Sequence, residues 1–317
     1  MMTFPELTAL LDSAHRRWQL VGTPKRGIVI ALDVEGRLFT VQDNLVLSRV
    51  NPKAIRGIST ASQYLNPGGD GLWPAPEGSR CGFEYSTGSW RVPPSITNAR
   101  WLPCDGAKPD HAKFCAEIDL INASGRGLPC LFSRDINIFG DERVMTVLTV
   151  ESIKYMGRKP IIRQKTMIVP WSLCQFDYDK SCYLFAHNCL PGDVRDLYAS
   201  TEDRQEWSDE GFILPIATEK RIQVAFSPAV TGIVFKNIST GLCIHRTTGP
   251  AENGDEIDIA DTPPDQEPTD QAVRFSAYSD PSGFMEIEAA GAMPDTVMPG
   301  QTLSLVVATK YYHEGNC

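Results

Sequence analysis

Short apolar alternations broken by turn sequences, with no helix–strand rhythm between them, constrain this chain more than any other feature. Gly27-Ile28-Val29-Ile30-Ala31-Leu32 is followed by Asp33-Val34-Glu35-Gly36 and then Arg37-Leu38-Phe39-Thr40-Val41, a hairpin signal. Arg143 to Val150 alternates, and Ile161 to Val169 follows the Met156–Pro160 turn. Further strands are predicted at 183–186, 221–226, 232–235, 241–245, 273–279, 284–288 and 302–309, and Asp280-Pro281-Ser282-Gly283 is a good turn. Many short strands and no βαβ units predict an all-β fold, an antiparallel β-sandwich.

One helix is expected, over 3–19. Thr3 and Glu6 match a capping box, Pro5 is tolerated in the first turn, and Leu7, Leu10, Leu11, Ala14 and Trp18 recur at helical spacing. Its apolar stripe should dock on the β domain. The division expected is a helix and lead-in over 1–24 and one sandwich domain over 25–317. At 317 residues, 42% hydrophobic and 22% charged, the chain can bury a large core. A net charge of −9 argues against a nucleic-acid or anionic-membrane partner. No apolar run approaches a membrane span and the opening residues lack the order of a signal peptide. Nine cysteines without paired spacing read as free thiols. The expectation is therefore a cytoplasmic protein.

Residues 64–90 form the least ordinary segment. Gly68, Gly69 and Gly71 allow a tight turn around Asp70, and Pro74 and Pro76 remove two backbone donors. The run after Trp73 is expected to be neither helix nor central strand, and the result a rigid loop presenting Asp70, Trp73 and Glu77, with Trp90 and Trp101 close along the chain. An indole face beside carboxylates suits a sugar, whose C–H groups stack while its hydroxyls donate. The plain alternative is a surface turn with a core tryptophan.

The run Gly-Gly-Asp-Gly-Leu-Trp-Pro-Ala-Pro-Glu-Gly at 68–78 resembles a motif of bacterial proteins of the galactose mutarotase-like (aldose 1-epimerase-like) superfamily. Phe284-Met285-Glu286-Ile287-Glu288, with Met298-Pro299-Gly300-Gln301-Thr302 after it, is similar to that family's closing strands, and the spacing of Trp90 and Pro93-Pro94 also fits. Relatives often carry Arg or His where this chain has Gly71. The resemblance implies one large antiparallel β-supersandwich, a sugar ligand, and a Glu base with a His acid.

Glu286 and Glu288 alternate with Met285, Ile287 and Ala289, so the carboxyls should leave the core face together, roughly 7 Å apart by strand rise. That face is either solvent or a ligand cleft. His187 ends the apolar run 182–186 and is the best-placed acid, with His111 a weaker choice. Cys174, Cys182, His187 and Cys189 lack the Cys-x-x-Cys spacing of a zinc site. No P-loop, complete dinucleotide fingerprint, Gly-x-Ser-x-Gly or His-Glu-x-x-His occurs, so no metal and no cofactor is expected. Thr247 to Val273 holds eight acids and no Lys or Arg. It reads as a mobile, solvated loop, or else as a calcium site using Asn253, Asp255 and Asp258.

The expectation for function is a carbohydrate-binding protein, with an aldose 1-epimerase chemistry as its catalytic form. Glu288 or Glu286 would be the base and His187 the acid. Trp73, Trp90 or Trp101 would stack, and Asp70, Glu77 and Arg80 would hold hydroxyls or a carboxylate. The alternatives are a non-catalytic sugar sensor, a glycoside hydrolase or lyase built on the paired carboxylates, and a structural protein with a vestigial cleft.

Overall fold

The computed structural model describes residues 1–60, 63–83, 92–105, 108–252 and 254–314. Two ten-stranded antiparallel sheets pack face to face. The first runs in the spatial order Trp18–Thr23, Arg26–Ala31, Arg37–Gln42, Asp70–Ala75, Val169–Asp177, Phe284–Ala290, Phe275–Asp280, Ile222–Phe226 and Val194–Asp196, with Leu45–Val46 attached to Arg37–Gln42. The second runs Glu206–Ser208, Gly211–Pro215, Cys182–His187, Gly232–Asn237, Leu242–Thr248, Thr302–His313, Val144–Tyr155, Gly127–Gly140, His111–Ile121 and Leu102–Pro103. Strands adjacent in the chain mostly pair as hairpins, as short turn-punctuated alternation requires.

Alternation decides what lies between the sheets. Leu38, Leu72, Phe176, Met285 and Ile287 from the first sheet meet Phe132, Ile153, Phe235, Ile244 and Leu305 from the second in one core. The inward set of Val144–Tyr155 is Met145, Val147 and Ile153, one residue out of step with the Val144, Thr146, Leu148 and Val150 face.

The helix expected over 3–19 spans only Phe4–Ser13, with its Thr3–Glu6 capping box formed. His15 takes a left-handed conformation (φ 53°), which ends the helix, and Trp18–Thr23 becomes an edge strand of the first sheet. Leu7, Leu10 and Leu11 pack on Val29, Ala31, Phe39 and Val41, the face of the first sheet turned away from the second.

Two expectations about irregular segments are corrected. Asp70–Ala75 is a central strand, with Arg37–Gln42 on one side and Val169–Asp177 on the other. Pro74 is tolerated because its donor-less nitrogen faces away from Val169–Asp177, on the side where the pairing with Arg37–Gln42 has already ended at Asp70. The acidic segment is held down along its length. Ile257 and Ile259 enter the core, and Asp255–Glu256 pairs with Ala292–Met293. Asp258 is buried, accepting from Arg195 Nη2 at 3.0 Å and from Thr269 N at 3.0 Å. Two isoleucines four residues or fewer from four of the acids were enough apolar surface to anchor it.

Candidate functional site

The site lies on the outward face of the first sheet. Glu286 and Glu288 sit on the strand Phe284–Ala290, where odd-numbered Met285, Ile287 and Ala289 face the core. The register puts Gln175 beside Glu286 on one flanking strand, and Tyr278 beside Glu286 and Ser276 beside Glu288 on the other. Trp171 stands on the same flanking strand as Gln175, opposite Trp73 one strand further out. On the far side Gln223 stands opposite Tyr278. Trp73, Trp171, Gln223, Tyr278, Glu286 and Glu288, with Glu77, Tyr198 and Arg221, line a cavity of about 240 Å³.

Its walls are aromatic. Trp73 meets Trp171 edge-on with centroids 6.3 Å apart, and Tyr64 at 5.9 Å. The guanidinium of Arg37 lies 5.3 Å from the Trp73 ring. Across the cavity Arg221 stacks on Tyr198 at 3.8 Å and donates to its hydroxyl at 2.7 Å. Burial pushes both the Tyr198 and Tyr278 hydroxyls up, so they stay protonated near neutrality.

The floor is two carboxyls. Glu286 is 7% exposed and Glu288 1%. Gln175 Nε2 donates to Glu286. Ser276 Oγ and Gln223 Nε2 donate to Glu288, the latter at 2.9 Å. Burial, then the neighbouring charge of Glu288, pushes Glu286 well above the usual carboxylate range. Burial also pushes Glu288 up, to about 7, against the donation of Ser276 and Gln223. The two carboxyls share one face of the strand and each shifts the other's proton affinity, so they titrate as a pair. Among the described residues neither has a lysine or arginine within ion-pair distance, and Arg37 stabilises Glu286 only through space.

Four predicted residues meet here: Trp73, Glu77, Glu286 and Glu288. The others do not. Asp70 and Trp73 are three residues apart on one strand, so they face opposite ways. Asp70 points between the sheets, where Arg246 Nη1 reaches it at 2.9 Å and Arg134 also pairs with it. Burial works to raise its pKa, but Arg246 and Arg134 hold it below the ordinary value. Trp101 is a core residue, packed on Phe114 with centroids 5.3 Å apart. Arg80 is exposed and pairs with Glu267 of the acidic segment. His187 is exposed on the outer face of the second sheet, because Leu184 and Ala186 of the same strand take the inward positions. His111 pairs with Asp135 at 2.9 Å on that sheet as well. Trp90 lies outside the described residues. All five histidines of the sequence are described, and none lines the cavity.

Sequence reasoning missed Trp171, Gln175, Tyr198, Arg221, Gln223 and Tyr278. Two of them carried a signal: Gln175 and Gln223 interrupt apolar strand runs, and a polar residue inside such a run needs a partner. It also missed the buried pairing of Arg134 with Glu151 at 2.6 Å, which with Asp70 and Arg246 fills the space behind the cleft. Among the described residues no group of three or more His, Cys, Asp or Glu could hold a metal ion. For the calcium reading, Asp258 is committed to Arg195 and Thr269, Asp255 faces Arg163 at 3.4 Å, and Asn253 is outside the described residues. The eight described cysteines are free thiols, six of them buried. No described helix is long and apolar enough to cross a membrane.

The architecture is the galactose mutarotase-like β-sandwich with one N-terminal helix. A putative aldose 1-epimerase from Escherichia coli K12 matches with a TM-score of 0.56 at 11% identity, over 94% of this chain and 99% of that one. A galactose mutarotase-like protein from Lactobacillus casei matches with a TM-score of 0.58 at 10% identity, over 93% and 100%. One from Clostridium acetobutylicum matches with a TM-score of 0.54 at 9% identity, over 94% and 96%. No protein-family model and no curated protein sequence matches this chain.

Proposed function

We propose that the protein binds a single sugar ring in the cleft over Glu286 and Glu288. The observation that carries this is the placement of the carboxyl pair between two aromatic walls, Trp73 with Trp171 on one side and Tyr198 with Tyr278 on the other. Apolar C–H faces of a pyranose stack on such walls while its hydroxyls reach the acids. The cavity, about 240 Å³, is below the roughly 300–1,000 Å³ of drug-sized sites, which suits one small ring. The neighbours of the fold, a putative aldose 1-epimerase and a galactose mutarotase-like protein, agree with a sugar.

A second reading is anomer interconversion on the same pair. Exchange of anomers needs a base for the anomeric hydroxyl and an acid for the ring oxygen. With no histidine in the cleft, both roles fall to Glu288 and Glu286, one ionised and the other holding the proton. Glycosidic cleavage is disfavoured. Its two carboxyls must flank the scissile bond from opposite sides, whereas Glu286 and Glu288 project from one face of one strand, on the same side of the ligand.

Tryptophan fluorescence and calorimetric titration with a panel of aldoses test the binding reading. Saturable quenching is expected, lost in Trp171→Ala. A flat titration with every aldose refutes it. Polarimetry of anomer exchange then separates the two readings, since Glu288→Gln abolishes acceleration only if the pair moves protons.

A further inference from the structure

The cleft is uneven in charge. Arg37 is bound to Glu35 at 2.8 Å and to the Tyr64 hydroxyl at 2.8 Å. Arg49 is bound to Asp177 at 2.7 Å, and Arg221 is stacked between Tyr198 and Tyr278. Each described cation near the cavity is thus already engaged. Glu286 and Glu288 are a buried pair of acids with no cation of their own, and two such carboxyls cannot both ionise side by side. A ligand that brings a positive charge between them removes that conflict. Aromatic walls favour the same charge, because ring faces attract cations.

We propose that the cleft selects an amino sugar, whose ammonium group Glu286 and Glu288 receive while its ring lies between Trp73 with Trp171 and Tyr198 with Tyr278. This rests on the carbohydrate reading above and narrows it to a cationic ring. The groups facing the pair are Gln175, Ser276, Gln223 and Tyr278 from the flanking strands, with Arg37 and Glu77 acting through space. None of them supplies a mobile cation. Binding of the ammonium sends the proton held by the pair to solvent.

Calorimetric titration of the full chain near neutral pH with glucosamine, glucose, N-acetylglucosamine and glucuronate tests this. Glucosamine is expected to bind about tenfold or more tightly than glucose. Acetylation should remove the gain, and glucuronate should bind worst. Repeating the glucosamine titration in buffers of different ionisation heat should show net proton release, absent for glucose. In Glu288→Gln, an isosteric change that leaves no buried charge, the glucosamine-to-glucose ratio should fall towards one. Glucose binding equal to or tighter than glucosamine, or glucuronate binding best, overturns the charge assignment and leaves the carbohydrate reading intact. Failure of all four sugars overturns both.

Discussion

The guanidinium of Arg37 occupies the space that a side chain at position 71 would fill. A Cβ on Gly71 would lie 2.6 Å from Arg37 Nη1 and 2.8 Å from Cζ. The two residues sit on neighbouring strands with their side-chain directions aligned, since Leu38 pairs with Asp70. In this chain a cation reaches the same place from the next strand, and the glycine makes room for it. Gly68 and Gly69 differ, because their φ angles of 86° and 74° make the turn into the strand.

Gly71→Ala is therefore expected to cost about 1–3 kcal/mol by overpacking against a fixed guanidinium. In an Arg37→Met background, where the side chain can move aside, most of that cost should disappear. Urea denaturation of both singles and the double gives the coupling, expected at about 1 kcal/mol or more. Additive losses would show that Arg37 does not hold that space.

The carboxyl pair makes stability depend on pH. Glu288 and Glu286 hold protons in the folded state at pH values where the unfolded chain has released them. The folded state then binds more protons, so stability falls as pH rises. The pair's contribution is full below the ordinary carboxyl range near pH 4 and is lost as pH climbs through about 7. The loss attributable to Glu288 is on the order of 3 kcal/mol. Comparing wild type with Glu288→Gln in urea at about pH 5 and about pH 8 checks it. The variant should be the flatter, and parallel curves would show that the pair is not protonated.

Asp70 and His187 should not contribute to sugar binding. Asp70→Asn leaves Arg134 and Arg246 with one carboxylate, Glu151, and should cost about 3–5 kcal/mol of stability. Sugar affinity, measured well below the melting temperature, should hold. His187→Ala, on an exposed outer face, should change neither affinity nor anomer exchange. Loss of affinity in either variant without loss of fold would return that residue to the site.

The acidic segment should behave as core and not as tether. Ile257→Ala and Ile259→Ala are each expected to cost about 2–5 kcal/mol, as for other buried isoleucines. Melting curves with and without a chelator should superimpose. A neutral isoleucine substitution would restore the picture of a loose excursion, and a chelator-sensitive melt would restore the calcium reading.

What the sequence determined by itself was what is local. Alternation with period two and turn residues at fixed offsets marked the hairpins, the all-β class and the burial of Met285 and Ile287. The Thr3–Glu6 cap was readable because both its members lie within four residues. The shared projection of Glu286 and Glu288 followed from strand geometry alone. Tertiary structure decided what lies on the far side of each strand, because alternation tells which residues share a face and not what that face meets. It made one face of Phe284–Ala290 a cleft floor and the outer face of Cys182–His187 open surface. It made Asp70–Ala75 a central strand by pairing it with the distant Val169–Asp177 and turning the donor-less side of Pro74 away from that partner. That one change of local structure sent Asp70 inward to Arg134 and Arg246 and left Trp73 facing the carboxyls, since a strand, unlike a loop, cannot present both to the same side.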